Sequence, residues 1–327
     1  MHKLGIYIPT YNRKEELETC LKHFIPQVKR YGFPIYISDN NSTDGTEELV
    51  RKMKRAYPNI IYKKNDTGLG NTYASNLISV LEMGSTEFVW FFGDDDIVKE
   101  GAIKTIVDAL DSHDFLQINV EIWSHDFSRK LLDRKVPVYR DIPYSKGEHE
   151  SVLLNAKNGY AGFMAEIITR RDYLNKELSK LKGQELSKKE FLHTTLFFRS
   201  IVGKRGKLVS KQLIKYRNIS RFGGREFEVW MVSFPKALGE LAGFYSKGAL
   251  DKVATLPTYS MIGITCINKI QNPDKKKTYL EYVRNNKALS EPKRVLLNFI
   301  LWVPNPIIEA AIYPIMRING LKLANKV

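Results

Sequence analysis

Residues Phe88 to Phe92 read FVWFF, an unbroken apolar run that stops at Gly93 and three consecutive carboxylates, Asp94, Asp95 and Asp96. Side chains alternate between the two faces of a strand, so a strand that is apolar throughout must be covered on both faces. That is the position of an inner strand in a layered α/β sheet, and it ends abruptly at charge.

Three similar rounds precede it. Leu4 to Pro9 reads as a buried strand, and Asn12 with Glu15 has capping-box spacing before a helix with Leu17, Cys20, Leu21 and Phe24 on one face. Pro34 to Ser38 is a second apolar run, followed by Asp44 and Glu47 at the same spacing and a helix carrying Leu49, Val50 and Met53. Ile60 to Tyr62, the loop NDTGLGN and a helix with Tyr73, Leu77, Val80 and Leu81 make the third round, and a helix from Gly101 to Leu110 follows the carboxylates. Strands alternating with helices predict a Rossmann-like, mostly parallel sheet flanked by helices, whose ligands bind at the carboxyl ends of the strands. The polar clusters Thr10 to Arg13, Asp39 to Asp44, Asn65 to Asn71 and Asp94 to Asp96 all fall at such ends.

Beyond Phe115 the pattern loosens. Strands are predicted over Phe115 to Ile122, Val136 to Tyr139 and Ala165 to Thr169, and a helix around Lys189 to Ile201; from about Phe227 the chain reads as wholly helical. The resulting division is an α/β domain over 1–225, with halves 1–111 and 112–225, and a helical C-terminal region over 226–327. The 43% of apolar residues suffices for a sizeable core, so disorder is not the default. Two distant cysteines, Cys20 and Cys266, offer neither a CxxC pair nor a disulfide framework, which suits a reducing compartment and argues against structural zinc. The apolar run near the N-terminus is too short for a signal-peptide core and leads straight into the first strand. A net charge of +15 implies attraction to polyanions, with nucleic acid, anionic lipid and phosphorylated substrates all admissible.

Three adjacent carboxylates behind a buried strand repel one another unless a cation or a set of donors neutralises them. Hard oxygen ligands select Mg²⁺ or Mn²⁺, which keep waters and bind substrate phosphates beside one or two carboxylates. The alternative is one aspartate capping the next helix while its neighbours are solvated. Asp39 also ends a strand, although the run ISDNNSTDGT equally suits a turn before a helix. NDTGLGN can bring backbone N–H groups to a phosphate but lacks both GxGxxG and the lysine of a P-loop.

In their order along the chain, IPTYNR, SDNNSTDGT, NDTGLGNTYASN and FFGDDD resemble the inverting glycosyltransferases of family 2, which have a GT-A fold; the resemblance covers Lys3 to Asp111. It implies that Pro9, Thr10, Tyr11 and Arg13 line a nucleotide pocket, that Asp39 reads the base, and that Asn71 belongs to the same donor site. The family's metal motif commonly reads Asp-x-Asp-Asp, and here Gly93 stands at the first of those positions. The resemblance then makes Asp95 the direct ligand of Mg²⁺ or Mn²⁺, with Asp94 on the ribose or a metal-bound water and Asp96 orienting sugar or metal.

The implied activity is metal-dependent transfer of a sugar from a nucleotide-sugar donor, UDP-linked by expectation, to a glycan or a polyprenyl-linked saccharide. Family members place the general base at the start of a helix in the second half, where GQELSKKEFLHTTLFF offers Glu185, Glu190 and His193, with Glu185 slightly favoured; surface carboxylates and a packed histidine are the plain alternatives. YRNISRFGGREFEVW sets a glycine pair between Arg221 and Arg225, as a lid over a diphosphate or as a solvated basic loop. The last 35 residues combine bulky apolar side chains with Lys293, Arg294, Arg317, Lys322 and Lys326, while Pro304, Pro306 and Glu309 argue against a straight transmembrane span. Interfacial helices on an anionic membrane surface fit this mixture, as does a hairpin packed on the catalytic domain, and the first would place the chain at the cytoplasmic face of the membrane. Metal-dependent nucleotidyl transfer is a second enzymatic reading, but the first loop lacks its glycine-rich, lysine-bearing pattern. Nucleic-acid binding is a third, and no helix-turn-helix, zinc-finger or aromatic RNP pattern supports it.

Overall fold

A computed structural model describes residues 3–66, 72–156, 160–181, 185–186, 189–218, 225–254, 256, 258–285 and 289–318. The first half alternates strand and helix as the sequence predicts: β1 (Leu4–Thr10), α1 (Lys14–Lys29), β2 (Ile35–Asp39), α2 (Thr46–Ala56), β3 (Ile60–Lys64), α3 (Tyr73–Glu82) and β4 (Phe88–Phe91). A two-residue β5 (Ile97–Val98) and α4 (Ala102–Leu110) close it. The second half holds β6 (Phe115–Trp123), β7 (Lys130–Leu132), β8 (Ile142–Tyr144), α5 (His149–Asn155), β9 (Ile167–Arg170), α6 (Arg171–Lys180), α7 (Leu192–Ser200) and β10 (Gly206–Arg217). A π-helical turn over Glu228–Ser233 leads into α8 (Phe234–Gly239), α9 (Lys247–Ala254), α10 (Thr258–Gln271), α11 (Lys276–Asn285), α12 (Glu291–Trp302) and α13 (Asn305–Ile318).

The sheet runs β3-β2-β1-β4-β9-β6-β10-β5, with β7 on β6 and β8 on β10. The pairs β3-β2, β2-β1 and β1-β4 are parallel, and β9 lies antiparallel between β4 and β6, so β6 and its parallel partner β10 point the same way as the first four strands. Along the ladders Thr10 stands beside Asp39 and Asp39 beside Lys64. The polar strand ends are therefore level with one another.

One apolar layer packs α1, α2 and α4 on one face of the sheet, with Phe24 meeting Phe92 at 4.6 Å and Trp90 at 5.6 Å. A second layer lies on the other face, from Leu77 and Val80 of α3 to Phe197 of α7. Trp90 is fully buried and donates its indole N–H to Ala165 O at 2.8 Å, so its one polar atom is satisfied. The helical region has its own core around Phe227, Tyr279 and Leu301, and Trp230 packs against both this core and the second layer.

Two local expectations give way to contacts between loops. Asn12 does not cap α1, whose cap residue, Arg13, makes no side-chain cap bond. It sits at φ 48°, a left-handed conformation that asparagine tolerates; its N–H donates to Ser42 Oγ and its Oδ1 accepts from Thr43 N, each at 2.8 Å. Asp44 accepts from Thr46 N at 3.1 Å and, across the gap, from Lys14 N at 2.9 Å, so it satisfies a free amide at the start of α1 as well as one in its own helix. Val136–Tyr139, predicted as a strand, is irregular; Val138 N turns back onto Val136 O at 2.7 Å, and the neighbouring short strands are β7 and β8.

Behind the strand ends lies a buried polar cluster. Asn65 donates to Ser38 Oγ at 2.9 Å and to Asn76 Oδ1 at 3.1 Å while accepting from Ser79 Oγ at 2.8 Å, and Asn76 donates to Thr10 O at 3.0 Å. Asn65, directly after β3, is thereby tied to β2 and α3, and Asn76 carries the link on to β1. Replacing Asn65→Ala leaves several of these buried groups unpaired and should cost about 2 to 3 kcal/mol in urea unfolding. An unchanged midpoint at equal slope would show that the cluster does not brace the strand ends.

Candidate functional site

The site is assembled where β1, β2 and β4 end. Pro9 and Thr10 close β1, Pro9 pairing in register with Ser38 and Thr10 with Asp39. Thr10 Oγ1 donates to Asp94 Oδ2 at 2.7 Å, and Arg13 Nη1 donates to Asp94 Oδ1 at 2.7 Å and reaches Asp95 Oδ2 at 3.5 Å. Both oxygens of Asp94 are thus held, one from the last residue of β1 and one from the residue before α1. Burial disfavours the Arg13 charge, but Asp94 and Asp95 outweigh it and hold the guanidinium firmly protonated.

From the other side of the sheet, Arg217 at the end of β10 donates its backbone N–H to Asp96 Oδ1 and its Nε to Asp95 O, each at 3.0 Å. Burial raises the Asp96 carboxyl well above its ordinary range, with Asp95 adding to the shift. Burial also raises Asp94, opposed by Arg13 and reinforced by Asp95. Of the three side chains Asp95 is the most open, at 17% exposure.

The glycine at position 93 has a steric reason. A Cβ built there would stand 2.9 Å from Asp96 Oδ2 and 3.1 Å from Asp95 Oδ1, so the two carboxylates already fold over the place where a side chain would go. Their oxygens converge on one point of the strand end. Among the described residues no group of three or more His, Cys, Asp or Glu side chains is gathered to hold a metal. A hard divalent ion needs no such cage, since Mg²⁺ takes one or two carboxylates and completes its shell with water and phosphate. Asp95 and Asp96 fit that role, and Asp94 is committed to Thr10 and Arg13.

Asp39 is fully buried, yet both its oxygens are served: Ser42 N donates to Oδ1 at 2.8 Å and Tyr62 OH to Oδ2 at 2.7 Å. Tyr11, just past the end of β1, is 48% exposed, a large ring open to solvent. Asn71 with the rest of 67–71, and Arg221, Gly223 and Gly224, lie outside the described residues.

The three base candidates differ sharply. Glu185 is exposed. Glu190 precedes α7, pairs through Oε1 with Arg225, and has a buried Oε2 with no hydrogen-bond partner. His193, in the first turn of α7, is buried; Nε2 faces Gly162 O and Nδ1 faces Tyr73 OH, both at 2.8 Å. A carbonyl can only accept, so Nε2 carries the proton and Nδ1 accepts from the tyrosine. His193 thus links α7 to the start of α3 as a neutral, packed side chain.

Sequence patterns did not single out Tyr62 or Arg217. Tyr62 appeared only as a strand residue, 23 positions from the carboxylate it serves, and Arg217 acts on aspartates more than 120 positions away. The one local signal for Arg217 is its place at the head of the basic, glycine-containing stretch RNISRFGGR.

Comparison with known proteins bears on this arrangement. Residues 5–173, half of the chain, match the family described as glycosyl transferase family 2. Over 111 residues the chain is 38% identical to abequosyltransferase RfbV of Salmonella typhimurium, covering 33% of each chain. Over 175 residues it is 26% identical to the GalNAc(5)-diNAcBac-PP-undecaprenol beta-1,3-glucosyltransferase of Campylobacter jejuni, covering 52% of this chain and 51% of that one. The alignments thus span a third to a half of the length of these relatives. Among solved structures, S. aureus TarS 1–349 in complex with UDP-GlcNAc superposes with a TM-score of 0.60 at 16% identity, over 99% of this chain and 94% of that one, which shows a shared GT-A fold.

Burial lowers the His193 imidazole from its ordinary 6.5 to about 4. Between those values the unfolded chain takes up a proton that the folded chain does not, so this group's contribution to stability is full above pH 6.5 and is lost as the pH falls toward 4. The loss should reach about 3 kcal/mol at most. Urea unfolding of the parent and of His193→Gln at pH 7 and pH 5 should show a steeper loss for the parent; equal losses would mean that the folded imidazole titrates normally.

Proposed function

The chain belongs to glycosyl transferase family 2, and on that premise we propose that it transfers a sugar, with inversion, from a UDP-linked donor to a polyprenyl-linked saccharide or related glycan. The observation that carries this reading is the alignment of Asp39, Thr10 and the Asp94–Asp96 run at adjacent strand ends, with Asp95 the open member. A crevice at the carboxyl ends of parallel strands is where such sheets bind nucleotides. The UDP-GlcNAc complex of TarS, on the same fold, supports the choice of nucleotide. The PP-undecaprenol in the name of the Campylobacter relative supports the acceptor class, and with it a place for this chain at the cytoplasmic surface of a membrane. The transferase site would lie within 1–225, with 226–327 as the appended helical region.

In this reading Asp39, held rigid by Tyr62 and the Ser42 amide, receives the base, and the exposed ring of Tyr11 lines the nucleotide pocket. Asn71 would join this donor site. Arg13 and Thr10 fix Asp94, which faces the ribose. Mg²⁺ or Mn²⁺ bound by Asp95, with Asp96 beside it, would neutralise the diphosphate as it leaves. Glu190 is the best placed of the base candidates, because it stands at the entry to α7 with one carboxylate oxygen lacking a partner, whereas both His193 nitrogens are occupied. It would take the proton of the acceptor hydroxyl as that oxygen attacks the anomeric carbon from the face opposite the diphosphate, which inverts the centre.

Asp95→Ala should lower turnover with a UDP-sugar and a polyprenyl-linked acceptor by about a thousandfold or more while the protein stays folded, since leaving-group stabilisation is lost and carboxylate repulsion is relieved. Near-normal turnover of that variant in chelator-treated buffer would refute the metal role. Glu190→Gln should bind donor normally in a thermal-shift assay yet slow transfer by about a hundredfold to ten-thousandfold. Full activity of Glu190→Gln would return the base role to Glu185, or to a residue outside the three.

A further inference from the structure

The end of the helical region has two faces of opposite use. On α12 and α13 the side chains of Leu297, Ile300, Leu301, Ile308 and Ile312 are buried in the helical core. Lys269 of α10 donates to the carbonyls of Ile300 and Val303, placing a cation on the C-terminal end of α12 and fixing where the chain bends. The two helices meet at 111°, and no single helix among the described residues is long and apolar enough to cross a membrane. The inner face is therefore core, as a packed hairpin requires.

The outer face is apolar as well. Val295, Phe299 and Trp302 form a stripe at helical spacing and are 64%, 65% and 67% exposed, and Ile307, just past the bend, is 60% exposed. From 295 to 312 every exposed residue is apolar, Pro304 and Pro306 included, and Glu309 is half-buried. Isolated exposed apolar residues are ordinary, whereas a contiguous patch at the apex of a bent helix pair marks an interaction surface.

We propose that the outer face of α12 and the start of α13 is a membrane-docking wedge, which inserts Val295, Phe299, Trp302 and Ile307 into the headgroup region of an anionic bilayer. This deepens the membrane-surface placement proposed above and rests on it. The occupant is identified by charge. The Lys276 ammonium lies 4.0 Å from the Trp302 ring centroid, so a cation stands level with the largest exposed aromatic, the pairing expected at a lipid headgroup layer. A second copy of this chain would bring the same Lys276 and the same net charge of +15 against itself, whereas an anionic bilayer complements both the stripe and the charge. Bent at 111°, the pair can lie in the interface with its apex down, and its buried side chains keep it attached to the rest of the protein.

The test compares the full chain with a variant carrying Val295→Ser, Phe299→Ser, Trp302→Ser and Ile307→Ser, which spares the buried face. Both are sedimented with vesicles of phosphatidylethanolamine and phosphatidylglycerol at physiological salt, and their thermal unfolding and molar mass in solution are recorded. The expected result is that the parent binds vesicles and the variant binds about a hundredfold more weakly, with the same unfolding temperature and the same monomeric mass. If the parent does not sediment, the membrane-surface placement itself fails. If parent and variant sediment equally, the placement stands and this face is not the docking element. If the parent is a dimer that the variant dissolves, the face joins two copies of the chain, and the wedge is again overturned.

Discussion

Three carboxylates crowded at the end of a buried strand are the constraint around which the rest of this molecule is arranged. Left alone in a low-dielectric site they repel one another strongly, and each loses the hydration that stabilises its charge. The fold answers with donors from two distant directions: Thr10 at the end of β1 and Arg13 just before α1 on Asp94, and Arg217 on Asp96 and on the Asp95 backbone from the end of β10. Those donors are in place only if β1 and β10 end at the right height, which the parallel register and the buried Asn65 cluster secure. Asp95 is the most exposed of the three side chains.

The same arrangement joins the two halves of the α/β domain. Arg217 belongs to the second half and serves carboxylates of the first, and His193 of α7 hydrogen-bonds Tyr73 at the start of α3. A donor held by the first half and an acceptor activated from the second would meet across these contacts. With both ring nitrogens hydrogen-bonded, the buried neutral His193 ties the start of α7 to the start of α3. The helical region adds a third part with its own core, set against the domain through Trp230.

How far the sequence alone leads depends on how local the determining contacts are. β1 to β4 were legible because inner strands of a parallel sheet are apolar on both faces and end at polar turns, a pattern contained within a few residues. The aspartates at those strand ends, Asp39 and Asp94 to Asp96, were legible for the same reason. β10 was not, since register shifts between Val209 and Gln212 and between Gln212 and Ile214 break its alternation. Val136 to Tyr139 shows the converse error, an extended-looking stretch that the chain turns back on itself instead of pairing. The capping boxes at Asn12 and Asp44 were read as local signals, but both side chains reach across to the neighbouring loop, a contact set by the sheet order. Tyr62 and Arg217 carry no local signature, because what makes them matter is a partner far along the chain.

In the proposed reading the ends of β1, β2 and β4 form one nucleotide site, with the base at Asp39 and the diphosphate at Asp95. The most direct measurement is a crystal structure determined with UDP and Mn²⁺ bound. The expected result is the uracil against the Asp39 carboxylate, Mn²⁺ on Asp95 and the diphosphate between them, with Arg13 still paired to Asp94. Nucleotide bound away from these strand ends, or bound there with no cation at Asp95 or Asp96, would contradict it.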